Sequence, residues 1–243
     1  RQIVSVASAM NGRAAENGNA QLVEFGYNGR GLGVTVTGRR MDRMTQKIYS
    51  YSAAEGGYGS LSNMLSYRPA MSTQYTYMLT TLHPYGARTG DLMTGFVNSG
   101  EIGGQIDVFY NFRRGTKLGG KRGMKVHGNF STYYTIAEEG TFKPGNLLFC
   151  DMSVDIEKQW TRKFKSVLLW SYQEYTPSYG ASKTTYLSNI IVADLLYKFT
   201  NSLSARMELQ YLFTYEDQKD WMAALLEVNF APSWSIYVSD MWN

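Results

Sequence analysis

Apolar and polar residues alternate along most of the chain after residue 100, with the period of two that puts successive side chains on opposite faces of an extended strand. In residues 205–213 one face carries Ala205, Met207, Leu209, Tyr211 and Phe213; the other carries Arg206, Glu208 and Gln210, with Leu212 as its one apolar member. Residues 121–136 repeat the pattern, Met124, Val126, Phe130, Tyr134 and Ile136 opposing Lys125, His127, Asn129, Ser131 and Tyr133. Leu148, Cys150, Met152, Val154 and Ile156 oppose Asp151, Ser153, Asp155 and Glu157. Ile106, Val108, Tyr110 and Phe112 oppose Gln105, Asp107 and Asn111, with Phe109 out of pattern, and Met222, Ala224, Leu226, Val228 and Phe230 oppose Glu227 and Asn229.

These segments run to roughly 9 to 15 residues, beyond the ~5 to 6 usual in soluble proteins and close to the ~9 to 11 that cross a bilayer at a tilt. Short connections near 115–120, 162–163, 200–202 and 232 alternate with longer ones near 138–145, 177–183 and 216–220. Short turns on one side and long loops on the other are the rhythm of outer-membrane barrels. The expectation is an all-β, transmembrane antiparallel up-and-down β-barrel.

The first hundred residues are less regular. Residues 20–28 and 31–40 predict a hairpin around Asn28-Gly29-Arg30, with Val23, Phe25 and Tyr27 on one face and Leu32, Val34 and Val36 on the next strand. Residues 46–69 are rich in Ser, Gly and Tyr without clean alternation, 72–82 predict a strand, and 84–104 read as a long glycine-bearing loop. The count is about twelve strands in a single domain, 1–243, without a linker or a repeated motif.

Composition narrows the chemistry. Tyrosine (19) and glycine (24) are abundant and proline (5) is scarce, which suits long strands and tight turns. No apolar run reaches the ~18 residues of a membrane helix; 190–197 is the best candidate. The net charge of +4 is mild, and the basic residues gather at expected turns (Arg113, Arg114, Lys117, Lys121, Arg122), so nucleic acid is not an expected partner. A lone Cys150 and two histidines give neither an internal disulfide nor a zinc set, and neither a metal nor another cofactor is expected.

A charge facing mid-bilayer costs about 2–4 kcal/mol, so the charged faces are assigned inward. Asp107, Lys125, His127, Asp151, Asp155, Glu157, Asp194, Arg206, Glu208 and Glu227 are the expected lumen-lining set. They either line a water-filled passage, where Asp151, Asp155 and Glu157 lean towards cations, or pair into a salt-bridged plug. Aromatic residues near strand ends form the expected interfacial girdles, with Trp160, Phe199 and Trp234 beside short turns on one rim and Trp242 also at the membrane interface. A soluble lipocalin-like binding barrel also alternates apolar and polar residues, but it fills its interior with apolar side chains and turns its charges outward.

Four motifs have plainer readings. Gly115 to Arg122 nearly fits a phosphate loop but ends in Arg122 where Ser or Thr is needed, and it joins two strands, so it reads as a basic hairpin turn. His127, Asn129 and Ser131 share a face in a way that resembles the constellation of outer-membrane lipid hydrolases; those enzymes place it on the lipid-facing side, and here it faces inward, so no catalytic residue is assigned. His83 beside Pro84 reads as a surface residue and Asn129-Phe130-Ser131 as an accidental sequon within a strand.

Residues 100–126 and 207–243 resemble a group of uncharacterised outer-membrane proteins of Bacteroidota, a domain-of-unknown-function family, the likeness running from about residue 20 to the end. The resemblance implies a signal-bearing barrel longer than this chain. It places the protein in the outer membrane of a Gram-negative bacterium, in contact with the lipid bilayer and lipopolysaccharide, with other outer-membrane proteins or lipoproteins as partners. With a start at Arg1 and a last residue Asn243 in place of a terminal aromatic, the expectation is that strands are missing at both ends. The expected role is a passive channel or a structural subunit of an outer-membrane assembly, without chemistry of its own.

Overall fold

The structure, a computed structural model, describes residues 19–42, 50–52, 57–59, 77–81, 100–138, 140–176, 184–215 and 219–243. Ten strands form one antiparallel sheet in chain order: β1 (Asn19–Gly29), β2 (Leu32–Asp42), β5 (Glu101–Phe112), β6 (Met124–Ile136), β7 (Pro144–Gln159), β8 (Phe164–Tyr175), β9 (Tyr186–Lys198), β10 (Leu203–Thr214), β11 (Trp221–Phe230) and β12 (Trp234–Trp242). A separate two-stranded hairpin, β3 (Ser50–Ser52) with β4 (Gly57–Gly59), lies in the β2–β5 connection. The architecture is thus an all-β up-and-down meander. It is open: β1 bonds only β2 and β12 only β11, and every residue of β12 is exposed, so the sheet does not close on itself as expected of a barrel.

Strands of 9 to 16 residues follow from the alternation, because each can turn a continuous apolar row to one side and a polar row to the other. Turns 30–31, 160–163, 199–202 and 231–233 cluster at one end, together with the eleven-residue connection 113–123, which is longer than its sequence rhythm suggests. The longer connections lie at the opposite end. In the β1–β2 hairpin the turn falls on Arg30 and Gly31, with φ of 53° and 88°, one residue later than expected. Two central residues with positive φ match the right-handed twist of the flanking strands, and Asn28 is thereby kept in the ladder opposite Gly33.

Two sequence expectations fail for identifiable reasons. The glycines at 103 and 104 belong to β5, not to a loop: a Cβ on Gly103 would come within 2.4 Å of the Tyr133 ring, so the glycine makes room for an aromatic side chain lying across the sheet. Within the predicted strand 72–82, residues 77–81 form a bend and a 3-10 turn (Leu79–Thr81); the rest of that segment and His83 lie outside the described residues. Phe109, which broke the alternation of β5, lies on the polar face over Gly33, where any side chain would clash with its ring.

Candidate functional site

Cross-strand register assigns each side chain to one of two faces, and the two differ sharply. Outward rows such as Val23, Phe25 and Tyr27 on β1, Met152, Val154 and Ile156 on β7, Met207, Leu209 and Phe213 on β10 and Ile236 and Val238 on β12 are 37–72% exposed. Charged residues on this face (Arg40, Asp42, Lys158, Glu174, Asp240) are confined to strand ends. Aromatic pairs also sit towards the ends, edge to face: Tyr110–Phe112 at 4.6 Å, Tyr197–Phe199 at 4.9 Å and Tyr211–Phe213 at 4.4 Å between centroids. Trp160, Phe199 and Trp234 lie at the short-turn end and Trp242 at the other. The Trp160 indole N–H donates to Ser166 Oγ at 2.8 Å, and Lys158 Nζ stands 4.9 Å from its ring centre.

All ten residues expected inside lie on the opposite face. They fall into separate groups. Nearest the short turns, Glu157 is paired with Lys125 at 3.5 Å and with Lys165, which the sequence reading missed, at 3.2 Å. Further along, His127 is clasped between two carboxylates, Nε2 to Asp107 Oδ2 and Nδ1 to Asp155 Oδ2, both 2.7 Å, and Asn129 Nδ2 donates to the same Asp107 oxygen at 3.2 Å. Carboxylates only accept, so this geometry fits the doubly protonated ring. Asp151 is fully buried one rung on, opposite Ser131 and Gln173.

Arg206 centres a second network. Its Nε and Nη2 donate to the two oxygens of Asp194, both at 3.0 Å, Nη2 also reaches Glu208 Oε2 at 2.5 Å, and Glu227 stands 3.8 Å from Nη1. A bidentate fork is the strongest geometry open to an Arg–carboxylate pair. Gln210 Nε2 donates to Glu208 Oε1 at 2.5 Å.

Residues 77–81 seat against this side of the sheet. Tyr77 Oη donates to Asp194 Oδ2 at 3.4 Å, the Leu79 amide to Gln210 Oε1 at 2.8 Å, and Gln173 Nε2 to the Thr80 carbonyl at 2.9 Å. Burial, and after it the carboxylates Asp194 and Glu208, push the Tyr77 phenol well above its ordinary value, so it remains a neutral donor. Leu79 and Tyr77 pack with Leu169, Ile190, Val192, Leu212 and Ala223 in a buried cluster. Leu212, the apolar exception of its strand, has its partner here.

An ion pair the sequence reading did not assign, Arg39 with Glu101, is buried near the long-loop end, with the guanidinium 4.5 Å over the Tyr133 ring. A usable signal existed: Arg39 shares a parity with Thr35 and Thr37, which register places beside Asp107 and Gln105. His127 and Ser131 are four residues apart on one extended strand, roughly 13 Å at 3.3–3.4 Å per residue, too far for a nucleophile–base hydrogen bond. Gly115 to Arg122 links β5 to β6 by turns, with the Gly115 amide donating to the Gly120 carbonyl at 2.7 Å and no helix following.

A family model described as "Family of unknown function (DUF6029)" matches residues 4–243. Neither the curated proteins nor the solved structures give a match.

Proposed function

We propose that this chain, which belongs to the family DUF6029 over residues 4–243, is the wall of a β-barrel in a Gram-negative outer membrane and acts as a narrow passive channel without covalent chemistry. The observation that carries the reading is the outer face: an apolar surface across ten strands, its charges kept to strand ends. A soluble protein rarely exposes a contiguous apolar patch beyond a few hundred Å². In hydrocarbon the same surface is solvated, and the polar face becomes the lining of an interior.

Hydrocarbon also leaves no partner for an open sheet edge, each unsatisfied backbone group costing several kcal/mol. With ten strands in strict alternation, β1 and β12 run antiparallel, so they can pair with each other or with further strands to complete a barrel. Contacts with lipid and lipopolysaccharide follow from that placement, with neighbouring outer-membrane proteins or lipoproteins as further partners. Asp151, Asp155 and Glu157 lean the lining towards cations, a lean offset by His127, which holds Asp155, and by Lys125 and Lys165, which hold Glu157.

A structural role in a larger outer-membrane assembly is the second reading. It is favoured by the seating of residues 77–81 on the inner face, which narrows the interior.

Nitroxide labels at Leu209 and Glu208 in reconstituted vesicles test the premise. Label 209 is expected to be accessible to lipid-dissolved oxygen and label 208 not; a lipid-shielded label at 209 removes the membrane reading. Planar bilayers separate the two roles. Discrete conductance steps whose cation preference weakens when Asp151→Asn is combined with Asp155→Asn support the channel, and silence supports the structural subunit.

A further inference from the structure

The short-turn end of the sheet carries a positive charge that the described fold does not neutralise. Five cations and no carboxylate fall within the connection 113–123, and the turns 30–31 and 160–163 and the end of β9 add Arg30, Arg162, Lys163 and Lys198. Glu157, the carboxylate nearest these turns, is taken by Lys125 and Lys165. Among the described residues none of the turn cations has an acidic partner, whereas at the opposite end Arg39, Arg40 and Lys143 each meet one, in Glu101, Asp42 and Glu138. The cations stand on an ordered rim. Backbone bonds tie neighbouring turns side by side, the Asn111 amide to the Gly31 carbonyl at 2.8 Å, Lys198 to Lys163 at 2.8 Å and Ala231 to Ser202 at 2.7 Å. Lys158 and Lys163 donate through Nζ to the carbonyls of Leu118 and Phe199 on adjoining turns.

Resting on the reading of this sheet as a membrane wall, we propose that the short-turn rim docks the anionic headgroups of phosphatidylglycerol-type phospholipids in the leaflet it faces. Cations gathered without acids repel one another and draw a counter-charge from outside the chain. What stands beside them selects its source. Trp160, Phe199 and Trp234 are exposed on the outer face and carry the apolar surface up to this rim, and Leu118 is exposed among the cations of 113–123. Aromatic rings of this kind sit at headgroup level, so the turn cations stand within reach of lipid phosphates. Lys158, 4.9 Å from the Trp160 ring centre, sets an ammonium at the same depth. Guanidinium groups offer phosphate oxygens paired donors, and each Lys or Arg beside an anionic leaflet is worth about fivefold in association. An acidic protein matches the charge but not the aromatic and apolar side chains that share the rim.

The test uses the full chain reconstituted in phosphatidylcholine vesicles, with phosphatidylglycerol and phosphatidylcholine bearing the same acyl-chain nitroxide as probes, read by EPR as the share of each lipid held at the protein surface. Phosphatidylglycerol is expected to be preferred about fivefold, the preference falling as salt is raised. Combining Arg113→Gln, Arg114→Gln and Lys117→Gln is expected to bring it below about twofold, while Lys143→Gln at the opposite end leaves it unchanged. Arg162→Gln, one exposed change in another turn, is expected to lower it about 1.5-fold and covers a failure of the triple variant to fold. No preference in the parent, a preference equal in the rim variants, or one lowered as much by Lys143→Gln overturns the proposal. So does a parent without lipid preference that retains poly-L-glutamate through the same cations, which makes the partner an acidic protein. A lipid-facing label at 209 without a phosphatidylglycerol preference removes only this inference; a lipid-shielded label removes the membrane reading and this inference with it.

Discussion

Strands β5 to β8 and strands β8 to β11 present the same apolar outer surface and opposite inner ones. From β8 to β11 the inner face is greasy at its centre, and the protein's own residues 77–81 sit on it, bonded to Gln173, Asp194 and Gln210. From β5 to β8 the inner face is lined with serine, amide and carboxylate groups, several of the serine and amide oxygens buried without hydrogen-bond partners. The boundary runs between cross-strand neighbours: Ser171 on β8 is paired with Ile190 on β9. One half of the wall buries apolar side chains under a turn of the chain, and the other buries hydroxyl and amide oxygens, several of them unmet. The difference teaches that alternation fixes which side of a sheet is outside, while departures from alternation report what the inside touches.

The largest effect is expected where an unpaired charge enters the apolar half. Ile190→Asp puts a carboxylate into a fully buried apolar cluster, and a loss of about 3–5 kcal/mol is expected, read as the urea midpoint of unfolding from micelles. Aspartate at the neighbouring Ser171 lies among polar groups and is expected to cost less than half as much. Equal costs at the two positions would erase the boundary.

Arg206→Met comes next. It leaves Asp194, Glu208 and Glu227 facing one another without their shared cation. Breaking a fully buried pair costs about 3–5 kcal/mol, and because the Arg206 side chain is 31% exposed the expected loss is smaller, about 2 kcal/mol. Adding Glu208→Gln is expected to return part of it, and a double-mutant cycle without coupling would show that the network is ornamental to stability.

Much of this is legible in the amino-acid sequence alone. Strand existence and facing followed from the period alone, so Asp107, His127, Asp155, Arg206 and Glu208 were assigned to one side without knowledge of their partners. Which of them touch was not legible, since the bidentate Arg206–Asp194 contact depends on the β9–β10 register and the His127 clasp on two registers at once. Apolar Leu212, read only as an exception, is the trace of the inserted turn: a residue greasy on the polar face needs a greasy neighbour, and the chain supplies Leu79 from far away in sequence. Gly103 of early β5 misled because an aromatic ring from the neighbouring strand, invisible in a local reading, takes the space its side chain would fill. Closure into a barrel was the expectation that went beyond periodicity, for alternation specifies faces and says nothing about whether the first and last strands meet.

Alkaline pH gives a third, smaller effect confined to the apolar half. The Tyr77 phenol titrates higher when folded than when unfolded, because burial and the adjacent carboxylates disfavour the phenolate. The stability it contributes is therefore complete below the ordinary tyrosine value of about 10 and is lost as pH rises beyond it, when the unfolded chain has released a proton that the folded one retains. The unfolding midpoint is expected to fall between about pH 9.5 and 11, more steeply in the parent than in Tyr77→Phe, whose slope isolates this residue from the other tyrosines. Identical slopes would mean that the turn holds its place without that hydroxyl.

The smallest effect has the opposite sign and probes the other half. Ser171→Ala removes a fully buried hydroxyl that has no hydrogen-bond partner, and with it a desolvation cost, while leaving a void no larger than one oxygen atom. Losing an unmet polar group favours the folded state, and losing a few van der Waals contacts opposes it. A net gain of about 0.5–1 kcal/mol is expected, measured as a rise in the unfolding midpoint. A Ser171→Ala variant less stable than the parent would place this hydroxyl among the groups that hold the sheet together.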